Sequence, residues 1–129
     1  MIAGQKIRLA GFGAGGFGAR DLAVFLAHPD VELIAVADVD QSAIDAIQNQ
    51  YPAVIGFQDY RQLLAECGSA LDAVVIATPD HMHAPMAAAA MHQDLAVYLQ
   101  KPLTHTVYES RQLSRIAKER NLITQMGIQ

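Results

Sequence analysis

Six consecutive residues, Gly11-Phe12-Gly13-Ala14-Gly15-Gly16, constrain this chain more than any other stretch. They match G-x-G-x-x-G. They follow a short apolar segment, Lys6 to Gly11, and open a segment, Gly16 to Ala27, whose Leu22, Phe25 and Leu26 share one helical face. A strand that turns directly into a helix leaves the first helical N–H groups unpaired, and the helix dipole adds positive character there, so the turn favours an anion. In this pattern Gly11 permits the tight turn, Gly13 removes a Cβ that would block a diphosphate, and Gly16 lets the helix pack close to the strand. Phe12, Ala14, Gly15 and Phe17 complete the candidate phosphate loop. The Gly-Lys-Ser/Thr ending of a nucleoside-triphosphate loop is absent, which excludes an ATPase of that type.

The rest of the chain repeats the same alternation. Strands are expected over Val31–Asp38, Val54–Phe57, Ala73–Ala77, Leu95–Leu99 and Leu122–Met126. Helices are expected over Ser42–Gln50, Asp59–Cys67 and from about Pro85 to His92. A last helix, opened by a Thr106–Glu109 capping box, runs to Arg120. Asp59 caps the third helix and Gly68 ends it. Ala73–Ala77 (AVVIA) is apolar throughout, as a strand covered on both faces must be. Six strands alternating with five helices require parallel pairing and right-handed crossovers. The expected fold is therefore α/β, a doubly wound parallel sheet of order 3-2-1-4-5-6, in one domain spanning 1–129.

Asp38 stands at the end of the second strand, 22 positions after Gly16 (38 − 16). A carboxylate there accepts hydrogen bonds from the hydroxyls of an adenine ribose and repels a 2′-phosphate, and no Arg or Lys occurs in Val39 to Ser42. These residues predict a nicotinamide dinucleotide, NAD in preference to NADP. The competing reading gives Asp38 only the task of capping the second helix, which Asp40 or Ser42 could perform instead.

A net charge of -4 argues against a nucleic-acid or anionic-membrane surface. The one basic cluster, Arg111, Arg115, Lys118 and Arg120, has helical spacing with Glu109 and Glu119 beside it and reads as a solvated helix face. No apolar run reaches membrane-spanning length. The single cysteine, Cys67, has no flanking base and reads as structural.

Two further polar segments fall at the carboxyl edge of the expected sheet, where open α/β sheets bind ligands. They are Thr78-Pro79-Asp80-His81-Met82-His83 and Gln100-Lys101-Pro102-Leu103. His81 is expected to contact cofactor, and His83 to make a structural hydrogen bond. His-x-His supplies two ligands with no Cys or Glu clustered beside it, so no metal site is expected. His92 and His105 read as surface or cap residues, and Met82, Met86 and Met91 as helix packing.

The stretches GFGAGGFG at 11–18, VADVD at 36–40, ATPDHMHAPMAAAAM at 77–91 and VYLQKPLT at 97–104 resemble the glucose-fructose oxidoreductase / inositol dehydrogenase / rhizopine-catabolism (Gfo/Idh/MocA) family. The glycine loop is common to many dinucleotide-binding domains, whereas the ATPDHMH and KPL pair at this spacing is far more specific. The resemblance covers essentially the whole chain. It implies an N-terminal NAD(P)-binding Rossmann domain, with a larger α/β substrate domain expected after residue 129. Thr78, Pro79 and His81 match positions lining the cofactor cleft. Gln100 stands where the family usually has Glu in Glu-Lys-Pro, a residue that contacts the nicotinamide ribose. Lys101 matches the lysine beside the nicotinamide and the reacting hydroxyl and is the candidate catalytic residue. A cis Lys101–Pro102 bond would turn that lysine inward.

The resemblance implies an NAD-dependent oxidoreductase that transfers a hydride from a secondary alcohol of a sugar, cyclitol or related polyol. Two alternatives are a redox-neutral glycosidase that holds NAD and a non-catalytic dinucleotide sensor; Lys101 weighs against the second. The expected partner is a small sugar or polyol, with homo-oligomerisation of the full-length protein, and with neither nucleic acid nor membrane. The expected location is cytoplasmic, or periplasmic if an export leader has been removed, since relatives with the QKPLT variant are often exported.

Overall fold

The computed structural model describes residues 4–129. Among them the strands are β1 (Ile7–Phe12), β2 (Val31–Ala37), β3 (Ile55–Phe57), β4 (Ala73–Ile76), β5 (Ala96–Gln100) and β6 (Thr124–Gly127). They form a single sheet of order β3-β2-β1-β4-β5-β6, and every neighbouring pair is parallel. The helices are α1 (Gly16–Leu26), α2 (Gln41–Gln50), α3 (Tyr60–Cys67), α4 (His83–Met91) and α5 (Val107–Glu119). The doubly wound architecture and strand order are those expected from the sequence.

Alternation along the central strands sends side chains to two cores. Leu9, Val36 and Val75 face Leu22 of α1 and Ile44 and Ile47 of α2. Phe12, Val74 and Ile76 face α3, α4 and α5, where Leu63, Ala87, Met91 and Ile116 close the layer. β4 is buried along almost its whole length, because it lies next to β1 in the middle of the sheet and has helices on both sides. The capping box of α5 forms as expected: the Thr106 hydroxyl accepts from the Glu109 N–H, and the Glu109 carboxylate accepts from the N–H groups of His105 and Thr106.

Two local bounds are corrected, and one glycine has a further cause. Gly68 ends α3 as its C-cap, as expected, with a right-handed conformation that leads into a 3-10 turn, Gly68–Ala70. Its glycine identity has another cause, since a Cβ there would overlap the Gln93 side-chain amide. The fourth helix starts at His83 rather than Pro85, preceded by a 3-10 turn over Asp80–Met82 that keeps Pro85 within the first helical turn. The last strand begins at Thr124 rather than Leu122, because Leu122 turns onto the α5 side and packs against that core.

The basic face of α5 is solvated, with Arg115 near Glu119 and Arg120 paired with Asp94. Cys67 is a free, buried thiol whose pKa is pushed up by burial, the opposite of what a nucleophile requires.

Candidate functional site

The glycine loop lies where β1, β2 and β4 all end. The Gly13 N–H donates to the Ala37 carbonyl at 2.8 Å, and the Ala77 N–H donates to the Phe12 carbonyl at 2.9 Å, so the turn is fastened to both neighbouring strands. Gly13 has φ +95°, and a Cβ on it would lie 2.5 Å from the Ala77 carbonyl oxygen. This backbone conformation and this closeness each require glycine.

The division of labour among the other glycines differs from the expected one. Gly11 lies within β1 and makes no turn; a Cβ there would come within 2.8 Å of Leu22 Cδ1, so Gly11 is the residue that lets α1 approach the strand. Gly16 has open space around it and φ +52°, so it supplies the turn rather than the packing. Gly18 was not singled out by the G-x-G-x-x-G pattern, yet a Cβ on it would overlap the Gly13 carbonyl. The available signal was its place inside a helical segment, where glycine costs roughly 1 kcal/mol against alanine and needs a packing reason.

The N-terminus of α1 is open. Its N-cap is Gly15, no side chain caps it, and its first turn carries no acidic residue. These features fit a bound diphosphate: donors and partial positive charge meet the anion. The expected reason for glycine at position 13 is corrected, since its Cβ would strike the β4 edge at Ala77. Beside the loop, the Asp38 carboxylate accepts from the Ala14 N–H at 2.7 Å and the Gly15 N–H at 3.3 Å through Oδ2, and from the Asp40 N–H at 3.0 Å through Oδ1. The cap of α2 is Asp40, whose carboxylate accepts from both the N–H and the hydroxyl of Ser42. The Ser42 hydroxyl above all holds the Asp40 carboxyl below its usual pKa. Asp38 is therefore not the helix cap; it is braced against the phosphate loop.

A cavity of about 510 Å³ opens beside Gly13 and Asp38. Of the predicted site residues, Gly13, Asp38, Thr78, Pro79 and His81 line it. So do Gln58, Asp59, Tyr60 and Arg61, which the sequence reading did not assign to the site. Their signal was the strand order itself. β3 neighbours β2, so the residues leaving β3 emerge beside those leaving β2; the Asp38 N–H donates to the Phe57 carbonyl, and Gln58 Nε2 donates to the Val39 carbonyl. A larger cavity of about 570 Å³, between α5 and the β5–β6 edge, contains none of the predicted residues and is lined by apolar groups such as Leu113, Leu122 and Met126.

The other predicted residues, Gly11, Phe12, Ala14 to Phe17 and Gln100 to Pro102, do not line the 510 Å³ cavity. Phe17 is exposed on the first turn of α1, with the Arg20 guanidinium 5.3 Å from its ring centroid. Lys101 follows β5 directly and precedes a cis peptide bond to Pro102, as expected, but its side chain is exposed and not turned inward. His83 ties this segment to the β4 edge: it is fully buried, with Nδ1 2.6 Å from the Pro102 carbonyl and Nε2 2.8 Å from the Thr78 carbonyl. In either tautomer the ring donates to one of the two loops, the structural role expected of it.

Gln100 is buried and turned toward α1, where its Nε2 donates to the Asp21 carboxylate at 2.8 Å. Asp21 is itself buried. A glutamate at position 100 would set a second carboxylate against it, whereas the amide supplies a donor. This gives the departure from Glu-Lys-Pro a physical cause. Burial, and next the Asp21 charge, push the nearby Tyr98 hydroxyl up in pKa. Among the described residues no group of three or more His, Cys, Asp or Glu is placed to hold a metal ion, and no helix is long and apolar enough to cross a membrane.

A glycine turn fastened between strand ends, an open helix terminus and an acidic side chain at the end of β2 together define an NAD-binding Rossmann domain. The chain belongs to the Gfo/Idh/MocA oxidoreductase family: the model of that family, described as an oxidoreductase family with an NAD-binding Rossmann fold, matches residues 7–128. It is 28% identical over 126 residues to scyllo-inositol 2-dehydrogenase (NAD(+)) of Bacillus subtilis, covering 95% of this chain and 36% of that protein. It is 37% identical over 106 residues to a glycosyl hydrolase family 109 protein of Stenotrophomonas maltophilia, covering 73% of this chain and 23% of that one. Among solved structures, GenD2 from gentamicin A biosynthesis, in complex with NAD, superimposes with a TM-score of 0.87 at 28% identity, over 95% of this chain and 34% of its own. The chain thus spans about a third or less of the length of these relatives.

Proposed function

We propose that this chain is the cofactor-binding domain of an NAD-dependent oxidoreductase acting on a secondary alcohol of a sugar, cyclitol or related polyol. A substrate domain would follow residue 129 and complete the pocket. The observation that carries this reading is the Asp38 carboxylate, braced by the amides of Ala14 and Gly15 beside the open terminus of α1. The backbone of Gly11 to Phe17 holds the diphosphate, and Asp38 accepts from the adenosine ribose hydroxyls. The negative charge of Asp38 disfavours a 2′-phosphate, so NAD binds in preference to NADP. Thr78, Pro79 and His81 form the opposite wall of the cleft.

The nicotinamide of the bound dinucleotide supplies the hydride acceptor. Lys101, exposed at the carboxyl edge of β5, orients the substrate hydroxyl and lowers the cost of the alkoxide formed as that hydroxyl gives its proton to a base the substrate domain would supply; the carbon then releases its hydride and becomes a carbonyl. Gln100 and Pro102 set the position of that lysine: the first is anchored on Asp21, the second is held through its carbonyl by His83. The scyllo-inositol dehydrogenase relative supports a cyclitol or sugar alcohol as substrate. The full-length protein is proposed to be a cytoplasmic homo-oligomer.

A second reading is favoured by the relatives named as glycosyl hydrolases, which share 34–37% identity with this chain. In it the same cleft holds NAD through a redox-neutral glycoside cleavage, in which one sugar carbon is oxidised and later restored. The full-length protein separates the two. Incubated with NAD and a panel of inositols, aldoses and glycosides, it is expected to produce NADH, seen as absorbance growth in proportion to substrate consumed. Glycoside cleavage with no net NADH would favour the second reading.

A further inference from the structure

Asp38 is only one of three side chains of fixed charge lining the adenosine end of the cavity; the others are Asp59 and Arg61. They arrive together because β2 and β3 end in register, Ala37 opposite Phe57, and the chain leaving β3 runs beside the chain leaving β2. We propose that Asp59 and Arg61 form a second determinant of dinucleotide choice, with Asp59 neutralising an arginine that would otherwise receive a 2′-phosphate. This rests on the reading of the cleft as a dinucleotide site.

An arginine close to the adenine ribose is the group that accommodates the 2′-phosphate of NADP, through paired N–H donors matched to phosphate oxygens. Val39 to Ser42 contain none, but the fold brings Arg61 into the same cavity from the next strand connection. One edge of its guanidinium, Nε and one Nη2–H, is already engaged. Arg61 Nη2 donates to Asp59 Oδ2 at 2.7 Å, and Nε donates to Oδ1 at 3.0 Å and Oδ2 at 3.2 Å. The same carboxylate accepts the Arg61 backbone N–H at 2.9 Å as the cap of α3, which fixes it at the base of the arginine it pairs with. The pairing holds Asp59 below its ordinary pKa and raises that of Arg61.

The charge of the three groups is −1 while Asp59 is ionised and zero without it. A 2′-phosphate brings nearly two further negative charges into this space. With Asp59 present it meets a net negative wall and an arginine whose Nε–Nη2 edge is taken; without it, it meets a free guanidinium opposite Asp38. The ion pair is largely exposed, so its own contribution to stability is small and its removal acts mainly on the incoming ligand.

The test uses the full chain and four variants: Asp59→Asn, Asp59→Ser, Arg61→Gln and the double Asp59→Asn/Arg61→Gln. Asn and Ser both serve as N-caps, so α3 retains its start in either variant and two independent proteins report on the loss of charge. NADH and NADPH affinities are measured by nicotinamide fluorescence at low ionic strength, where exposed charges act most strongly. The expected result is a shift of the NADPH-to-NADH affinity ratio toward NADPH by about 5- to 10-fold in both Asp59 variants. Arg61→Gln alone should shift it the other way, and the double variant should lose the gain. If the wild-type chain binds NADH and the Asp59 variants leave the ratio unchanged, or the gain survives in the double variant, the inference is wrong while the dinucleotide reading stands. If the folded wild-type chain binds neither coenzyme, both are wrong.

Discussion

Replacing Gly13 by valine is expected to raise the Kd for NADH by at least about 100-fold and to lower the midpoint of thermal unfolding. Two independent obstacles converge at this residue. Its φ of +95° is strained for any side chain, at a cost of about 1–3 kcal/mol, and more for a β-branched one. The new Cβ would also stand 2.5 Å from the Ala77 carbonyl oxygen, which cannot retreat easily, because the Ala77 N–H is bonded to Phe12 at the end of the central strand. The loop must move instead, and the donors it aligns with the diphosphate move with it. Losing two charge-assisted hydrogen bonds at about 1.5–3 kcal/mol each accounts for a hundredfold change or more. Gly16→Val is the informative companion. That residue has φ +52° but open space around it, so strain acts without the clash, and the loss should be clearly smaller. Equal losses in the two variants, by calorimetric titration and thermal unfolding, would show that the close approach to β4 is immaterial.

The other large effect is expected at Lys101. In the full-length protein, Lys101→Ala should lower kcat by about 10²- to 10⁴-fold, the usual range for removing a positioned acid–base or charge-stabilising group. The effect on NADH affinity should be far smaller, because the groups that hold the diphosphate and the adenosine lie on other segments. Lys101→Arg keeps the charge but alters its shape and reach, and should recover only part of the rate. Steady-state rates with the polyol that serves the wild type, combined with NADH titration, separate the two contributions. An unchanged kcat for Lys101→Ala would remove Lys101 from the chemistry and favour a domain that binds a dinucleotide without acting through this lysine.

Much of this was readable from the sequence because the local rules agree with the global fold. The apolar run at Ala73–Ile76 reports a strand buried on both faces, and Thr106 with Glu109 spells a capping box that the structure forms. The place of Asp38, at the end of β2 beside the glycine loop, was legible because its distance from that loop is set by one helix and one strand. What escaped depends on contacts between segments distant in sequence. The motif pattern counts glycines but does not tell which neighbour each one meets, so the parts played by Gly11 and Gly16 were exchanged and Gly18 was overlooked. The Gln58 to Arg61 wall required the strand order to be applied to the loops as well as to the strands. The Gln100–Asp21 bond joins residues 79 positions apart, and nothing local in either segment announces the other.

All of these readings depend on a backbone turn and a helix terminus receiving a diphosphate while Asp38 takes the adenosine sugar. Calorimetric titration of the folded chain with NADH, repeated in the presence of excess ADP-ribose, tests this most directly. The account predicts saturable binding at one site per chain, tighter for NADH than for NADPH and competed by ADP-ribose, which carries the diphosphate and both sugars without the nicotinamide. Absence of saturation with either coenzyme, in material whose cooperative unfolding shows it to be folded, would contradict it.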